Sequence, residues 1–147
     1  MSLGFLGTQY LSLDAKGRLA LPSRHRDALN GKVVVTIDTR AKCLVLYPLA
    51  QWQVVAEKVQ SLPSMNPDNK RFQRLFFGYA NDLDIDSNGR ILLPALLREY
   101  AAMDKRVALV GQGHKMELWS DELWAAESGD VGLLGDTLPD DLAGLVL

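Results

Sequence analysis

Apolar and polar residues alternate near the start of the chain: Leu11 and Leu13 fall on one side, and Tyr10, Ser12 and Asp14 on the other. A period of two predicts a strand with one buried face. Gly17 interrupts it, and a short apolar stretch from Arg18 to Leu21 follows. This predicts a hairpin or a sharp strand bend, with glycine supplying a backbone conformation that other residues resist. Pro22 suits the first turn of a short helix ending near Asn30 and Gly31. Apolar runs at about 33–38 and 43–47 predict two more strands. Pro48 then opens a helix with Leu49, Trp52, Val55 and Val59 at helical spacing.

The same series of signals returns later in the chain. Residues 11–22 read Leu-Ser-Leu-Asp-Ala-Lys-Gly-Arg-Leu-Ala-Leu-Pro, and residues 83–94 read Leu-Asp-Ile-Asp-Ser-Asn-Gly-Arg-Ile-Leu-Leu-Pro. An offset of 72 runs without gaps from Leu11/Leu83 to Trp52/Trp124, with identities at Asp14/Asp86, Gly17/Gly89, Arg18/Arg90, Pro22/Pro94, Arg26/Arg98, Val35/Val107 and Leu46/Leu118. Copy two therefore repeats the strands near 106–110 and 115–119 and the helix near Ser120. A long period present only twice is too sparse for a solenoid. It predicts two copies of one small unit folded against each other, the single-chain form of a symmetric dimer.

Four segments are expected: repeat one at 5–60, a connector and helix at 61–80, repeat two at 81–127 and an acidic tail at 128–147. The connector at 61–69 is rich in Pro, Ser and Asn, and 71–79 reads as an amphipathic helix with Phe72, Leu75, Phe76 and Tyr79 on one face. The last twenty residues predict a weak helix or disorder. The coarse expectation is an α+β fold: a small barrel of short strands with helices packed outside.

Charge becomes informative once the chain is divided. Residues 125–147 hold five acids and no base, which leaves 16 bases against 13 acids in the rest. A mildly basic body thus precedes an acidic tail. Cys43 is the single cysteine, which excludes an intrachain disulfide and fits a reducing compartment. No apolar run reaches the 18 residues of a membrane span, and a secretory leader is not expected. These features predict a cytoplasmic protein with no membrane contact.

Catalytic patterns are lacking. His25 and His114 occupy non-equivalent positions, Cys43 lies in an apolar strand where a buried inert thiol is expected, and no phosphate-binding glycine loop or nucleophile elbow occurs. Neither catalysis nor a cofactor is expected. Asp84-Ile-Asp86-Ser-Asn88-Gly89 matches half of a calcium loop, but Ala95 stands where its bidentate glutamate belongs. No metal is therefore expected there. What remains is the turn Asp14-x-x-Gly17-Arg18, where the acid and the arginine can pair. Copy one surrounds it with Lys16, Arg24, His25 and Arg26, while copy two has Asn88, Leu96 and Leu97 in place of Lys16, Arg24 and His25. The cluster suits phosphate contact, and arginine can read guanine bidentately. Arg18 is expected to contact DNA, and Arg90 mainly to brace its own turn.

Leu13-Asp14-Ala-Lys-Gly-Arg18 with Leu21-Pro22, Cys43-Leu-Val-Leu-Tyr47-Pro48, Ser64-Met-Asn-Pro67, Arg74-Leu75 and Leu109-Val-Gly-Gln112 with Glu117-Leu-Trp119 together resemble the MraZ family over nearly the whole chain. The resemblance implies two tandem AbrB-like repeats forming a swapped-hairpin, double-split β-barrel with peripheral helices. It further implies ring-shaped homo-oligomers in the nucleoid that bind double-stranded promoter DNA at short G-rich repeats. Such proteins regulate the division and cell-wall gene cluster, commonly as repressors. Asp14, Arg18, Asp86 and Arg90 match the family's hallmark, and Lys16, Arg18, Arg24, Arg26 and Arg90 form the expected DNA-binding set. The alternative is a structural or protein-interaction ring without specific DNA binding.

Overall fold

The computed structural model describes residues 3–129 and 140–145. Copy one supplies β1 (Thr8–Ser12), β2 (Arg18–Ala20), α1 (Ser23–Arg26), β3 (Lys32–Ile37), β4 (Leu44–Pro48) and α2 (Leu49–Gln60). After α3 (Pro67–Gly78), copy two supplies β5 (Asn81–Asp84), β6 (Arg90–Leu92), α4 (Ala95–Tyr100), β7 (Arg106–Gly111), β8 (Met116–Ser120) and α5 (Asp121–Glu127). A short α6 (Asp140–Ala143) lies in the tail, most of which falls outside the described residues.

The two copies interlock. Six antiparallel strands form one sheet in the order β1-β7-β8-β4-β3-β5, and β2 pairs with β6 in a separate ribbon. Each copy's first strand pairs with the other copy's third: Tyr10 faces Ala108, and Val33 faces Leu83. The hairpin or sharp strand bend expected across Gly17 is present as the bend, without a paired ladder. It reduces to a single bridge between Leu13 and Leu19, and both arms find their partners in the other copy. The sheet ends in the edge strands β1 and β5, so no closed barrel forms among the described residues.

Burial explains the exchange. Leu19 and Ile91 face each other across the ribbon, point inward and are fully buried. They join Leu21, Val33, Val35, Leu44 and Leu46 of copy one and Leu93, Leu97, Val107, Leu109, Met116 and Leu118 of copy two in one core. The inward apolar residues of each copy lie against those of the other in this shared core, where burial is worth roughly 25 cal/mol per Å² of apolar surface. The sheet's other face is also covered. Val34, Val45 and Tyr47 pack on α2 and α3 through Trp52, Val59 and Phe76, while Ala108, Val110 and Trp119 pack beneath α5.

Several local details depart from the sequence expectation. Pro22 and Pro94 occupy the capping position before their helices, with ψ of 139° and 144°, and not the first turn. Helix α3 begins four residues earlier than periodicity indicated, because Asn66 caps it with a 2.8 Å bond from the Asp68 N–H and Pro67 fits the first helical position. Leu49 is exposed. The gapless offset also fails in one place. Val35 faces Leu46 while Leu109 faces Leu118, so Leu109 is the structural counterpart of Val35, and Val107 is not. The loop at 112–115 is two residues shorter than the one at 38–43, and copy two makes up the difference before β7.

Gly17 and Gly89 have φ of +86° and +77°, and each is covered by an arginine of the other copy. A Cβ at Gly89 would lie 2.2 Å from Arg26 Nη1, whereas one at Gly31, with φ of +80°, would meet open space. Gly89→Ala is expected to cost about 1–3 kcal/mol of stability, more than Gly31→Ala. Urea denaturation of the two variants measures the difference. Equal losses would show that the Arg26 packing contributes nothing.

Candidate nucleic-acid interface

Two turns, one per copy, share the same construction. Asp14 Oδ1 accepts the backbone N–H groups of Lys16 at 2.9 Å and Arg18 at 2.8 Å, and Oδ2 accepts Arg18 Nε at 2.6 Å. The Gly17 N–H closes the turn on the Asp14 carbonyl at 3.0 Å. In copy two, Asp86 Oδ1 accepts Asn88 and Arg90 N–H groups, both at 2.9 Å, and Oδ2 accepts Arg90 Nε at 3.2 Å. Asp86 is thus engaged by its own turn. Donated hydrogen bonds favour the ionised carboxylate. The Arg18 backbone N–H, with its guanidinium and the Lys16 N–H, holds the Asp14 carboxyl down at about 2. Asp86 is lowered in the same way.

The ribbon carries both arginines on one face. Arg18 stands opposite Leu92, and Arg90 opposite Ala20, while Leu19 and Ile91 point into the core. The side chains of Arg18 and Arg90 are 32% and 30% exposed, and Leu92 between them is exposed. Among the described residues each guanidinium forms hydrogen bonds only through Nε, so its terminal nitrogens make none. The near-identity of the two turns leaves no geometric basis for assigning contact to Arg18 and bracing to Arg90.

The other expected residues separate. Lys16 is exposed at the turn. Arg24 is exposed but ties down the N-terminal segment by donating from Nη2 to the Leu6 carbonyl. Arg26 is half-buried behind the Gly89 turn, with Nε buried and unpaired. Arg98 mirrors it over Gly17 and donates to the Leu93 carbonyl at 3.2 Å. Sequence reasoning missed Arg98 as a brace of the opposite turn. The identity of Arg26 and Arg98 was the available signal. His25 does not join the exposed cations: it is buried with its ring 5.4 Å from Phe5, its Nε2 accepts from Arg24 Nε at 3.5 Å, and burial, with the Arg24 charge, lowers its pKa.

Fold and site define a duplicated, interlocked protein that displays two aspartate-braced arginines on one exposed ribbon. A family described as "MraZ protein, putative antitoxin-like" matches residues 5–75 and 76–128. Proteins named Transcriptional regulator MraZ are similar over 97% of this chain and 99% of their own length in Halorhodospira halophila (48% identical) and Pseudomonas putida (47%). One from Legionella pneumophila is 44% identical over 94% and 96%. The chain belongs to the MraZ family, which is not a family of enzymes. No helix among the described residues is long and apolar enough to cross a membrane.

The lowered carboxyl of Asp14 has a consequence for stability. Its contribution is present above the unfolded value of about 4 and is lost as pH falls through the folded value of about 2. Asp14→Asn is expected to flatten the stability profile between about pH 4 and 2, as read from thermal melts. An unchanged acid limb would show that the turn does not depend on the charged carboxylate.

Proposed function

We propose that the chain is a sequence-specific DNA-binding transcriptional regulator, acting as a ring on short G-rich repeats upstream of the division and cell-wall gene cluster. The observation that carries this reading is the pair of aspartate-braced arginines on the outer face of the β2–β6 ribbon. A two-stranded ribbon fits the major groove, about 12 Å wide. With Nε engaged by Asp14 or Asp86, each guanidinium keeps its terminal nitrogens for guanine O6 and N7, and the carboxylate restrains it before contact. Leu92 is available for apolar contact with a thymine methyl. Lys16 and Arg24 contact phosphates, which position the protein without reading sequence. Arg26 supports the site from behind Gly89.

The exchange of first strands between copies supports the swapped-hairpin, AbrB-like reading, as does the family membership. Repression is the expected sign of regulation, exerted at the nucleoid in the cytoplasm. One ribbon with two reading arginines provides less than the about 10³–10⁷-fold preference that specific sites need over bulk DNA. A homo-oligomeric ring supplies the remainder, because a second subunit binds at high effective concentration once the first is seated.

Fluorescence anisotropy with the gene's own upstream DNA tests the proposal. Arg18→Ala and Arg90→Ala are each expected to weaken binding by about 1–3 kcal/mol and to relax the preference over scrambled DNA. Lys16→Ala should weaken both DNAs alike. Log affinity should fall with log salt at a slope on the order of −2 to −3 per subunit. Inserting about 5 base pairs between repeats should reduce affinity towards that of a single repeat, and a full-turn insertion should restore part of it. Equal affinity for scrambled DNA would instead favour a structural ring without specific binding.

A further inference from the structure

Three ligand-type groups converge on the face of the sheet that carries Trp119. Asp38 follows β3, Cys43 precedes β4 and Glu117 lies in β8, and one ligand atom from each falls within 4.8 Å of the others. The fold accounts for the meeting. The Asp38 N–H donates to the Cys43 carbonyl at 3.0 Å and closes the β3–β4 loop. Val45 is registered opposite Glu117, so Cys43, two residues earlier on the same face, lies diagonally across from that glutamate.

The two carboxylates are oriented by donors and neutralised by none. Asp38 Oδ1 accepts the Arg40 N–H at 2.7 Å. Glu117 Oε1 accepts Trp119 Nε1 at 3.0 Å and Gln112 Nε2 at 3.2 Å. Among the described residues neither acid pairs with Lys, Arg or His, and the second oxygen of each makes no hydrogen bond. The Cys43 side chain is fully buried beside them, and its sulfur makes no hydrogen bond among the described residues. Burial, together with the negative charges of Glu117 and Asp38, pushes the thiol up from its ordinary value. A buried, unpartnered sulfur and two unneutralised carboxylates form a place that lacks positive charge.

We propose that Asp38, Cys43 and Glu117 bind one thiophilic divalent cation of the Zn²⁺ class. Tetrahedral coordination with metal–oxygen distances of about 2.0–2.2 Å and a metal–sulfur distance of about 2.3 Å separates ligand atoms by about 3.4–3.7 Å. The cluster needs to contract by about 1 Å, which side-chain rotation of the two half-buried acids can supply. On binding, the Cys43 S–H bond breaks, its proton passes to solvent and a sulfur–metal bond forms, with no change of oxidation state. Water completes the shell from the side of the acids. The thiolate selects against Mg²⁺ and Ca²⁺, which prefer oxygen. Copy two cannot form the same site: Gln112 and Lys115 occupy the matching loop positions, and Val45 matches Glu117. The cation would join a loop of copy one to a strand of copy two, at a place separate from the ribbon.

The full-length protein, stripped with chelator, is titrated with Co²⁺ alone while thiolate-to-cobalt absorption is followed in the near ultraviolet. One Co²⁺ per chain is expected, displaced by Zn²⁺ and indifferent to excess Mg²⁺. Cys43→Ala should abolish the band, and Glu117→Gln should weaken Co²⁺ binding at least about 10-fold. Zn²⁺ should raise the melting temperature of the unaltered protein and leave that of Glu117→Gln nearly unchanged. The Glu117 variant and the melts keep the test decisive should Cys43→Ala fold poorly. Absence of the band together with an unshifted melt in the unaltered protein would overturn the proposal, as would equal Co²⁺ affinity in Glu117→Gln.

Discussion

The pairing of β2 with β6 governs the remainder of the molecule. Only three residues of each strand take part, yet the register decides two things together. It turns Leu19 and Ile91 into the core shared by both copies, and it turns Arg18 and Arg90 outward onto one face. A slip of one residue would reverse every side chain, burying the guanidinium groups and exposing the leucine and isoleucine. The braced turns at either end guard against such a slip. Their carboxylates fix the residues that begin each strand, and backbone bonds from Leu21 to Gly89 and from Leu93 to Gly17 extend the pairing into the opposite turn.

The two copies behave as the halves of a symmetric dimer joined into one chain. Equivalent features support each other across the pseudo-twofold axis, with Arg26 covering the turn of copy two and Arg98 that of copy one. Departures of the secondary structure from symmetry lie away from the ribbon. The hairpin loops differ in length, α2 and α3 cover one end of the sheet's outer face, and the shorter α5 covers the other. The displayed ribbon keeps its pairing and its two braced arginines nearly symmetric, although Lys16 and Arg24 have no cationic counterpart in copy two, while the sheet's outer face diverges.

Much of this was legible in the residues themselves. Period-two patterning located β1, apolar runs located β3, β4 and their counterparts in copy two, and Asp-x-x-Gly-Arg predicted two pinned turns because a short acid reaches its own turn's N–H groups without tertiary help. Pairing partners were not legible. Local pattern says that Leu11 and Leu19 each need a covered face, but it does not say that β7 and β6 provide it. The same limit hid that Arg26 packs behind a glycine of the other copy and that His25 is buried against Phe5. Cys43 reads as an inert core thiol until the sheet register brings Glu117 to it from a distant strand.

The interlocked order of strands also bears on how the chain is made. Thr8 pairs with Val110, so β1 leaves the ribosome about a hundred residues ahead of the strand that completes it. Early native pairing is limited to β3 with β4, and the main core waits for β6, β7 and β8. Contacts so distant in sequence slow folding, because the chain entropy of the intervening loop is lost before the contact stabilises anything. During that interval β1 and β2 present unpaired backbone and uncovered leucines, the kind of surface through which incomplete chains aggregate. A fold that protects its strands by exchanging them leaves the first half of the polypeptide exposed until the second has been synthesised.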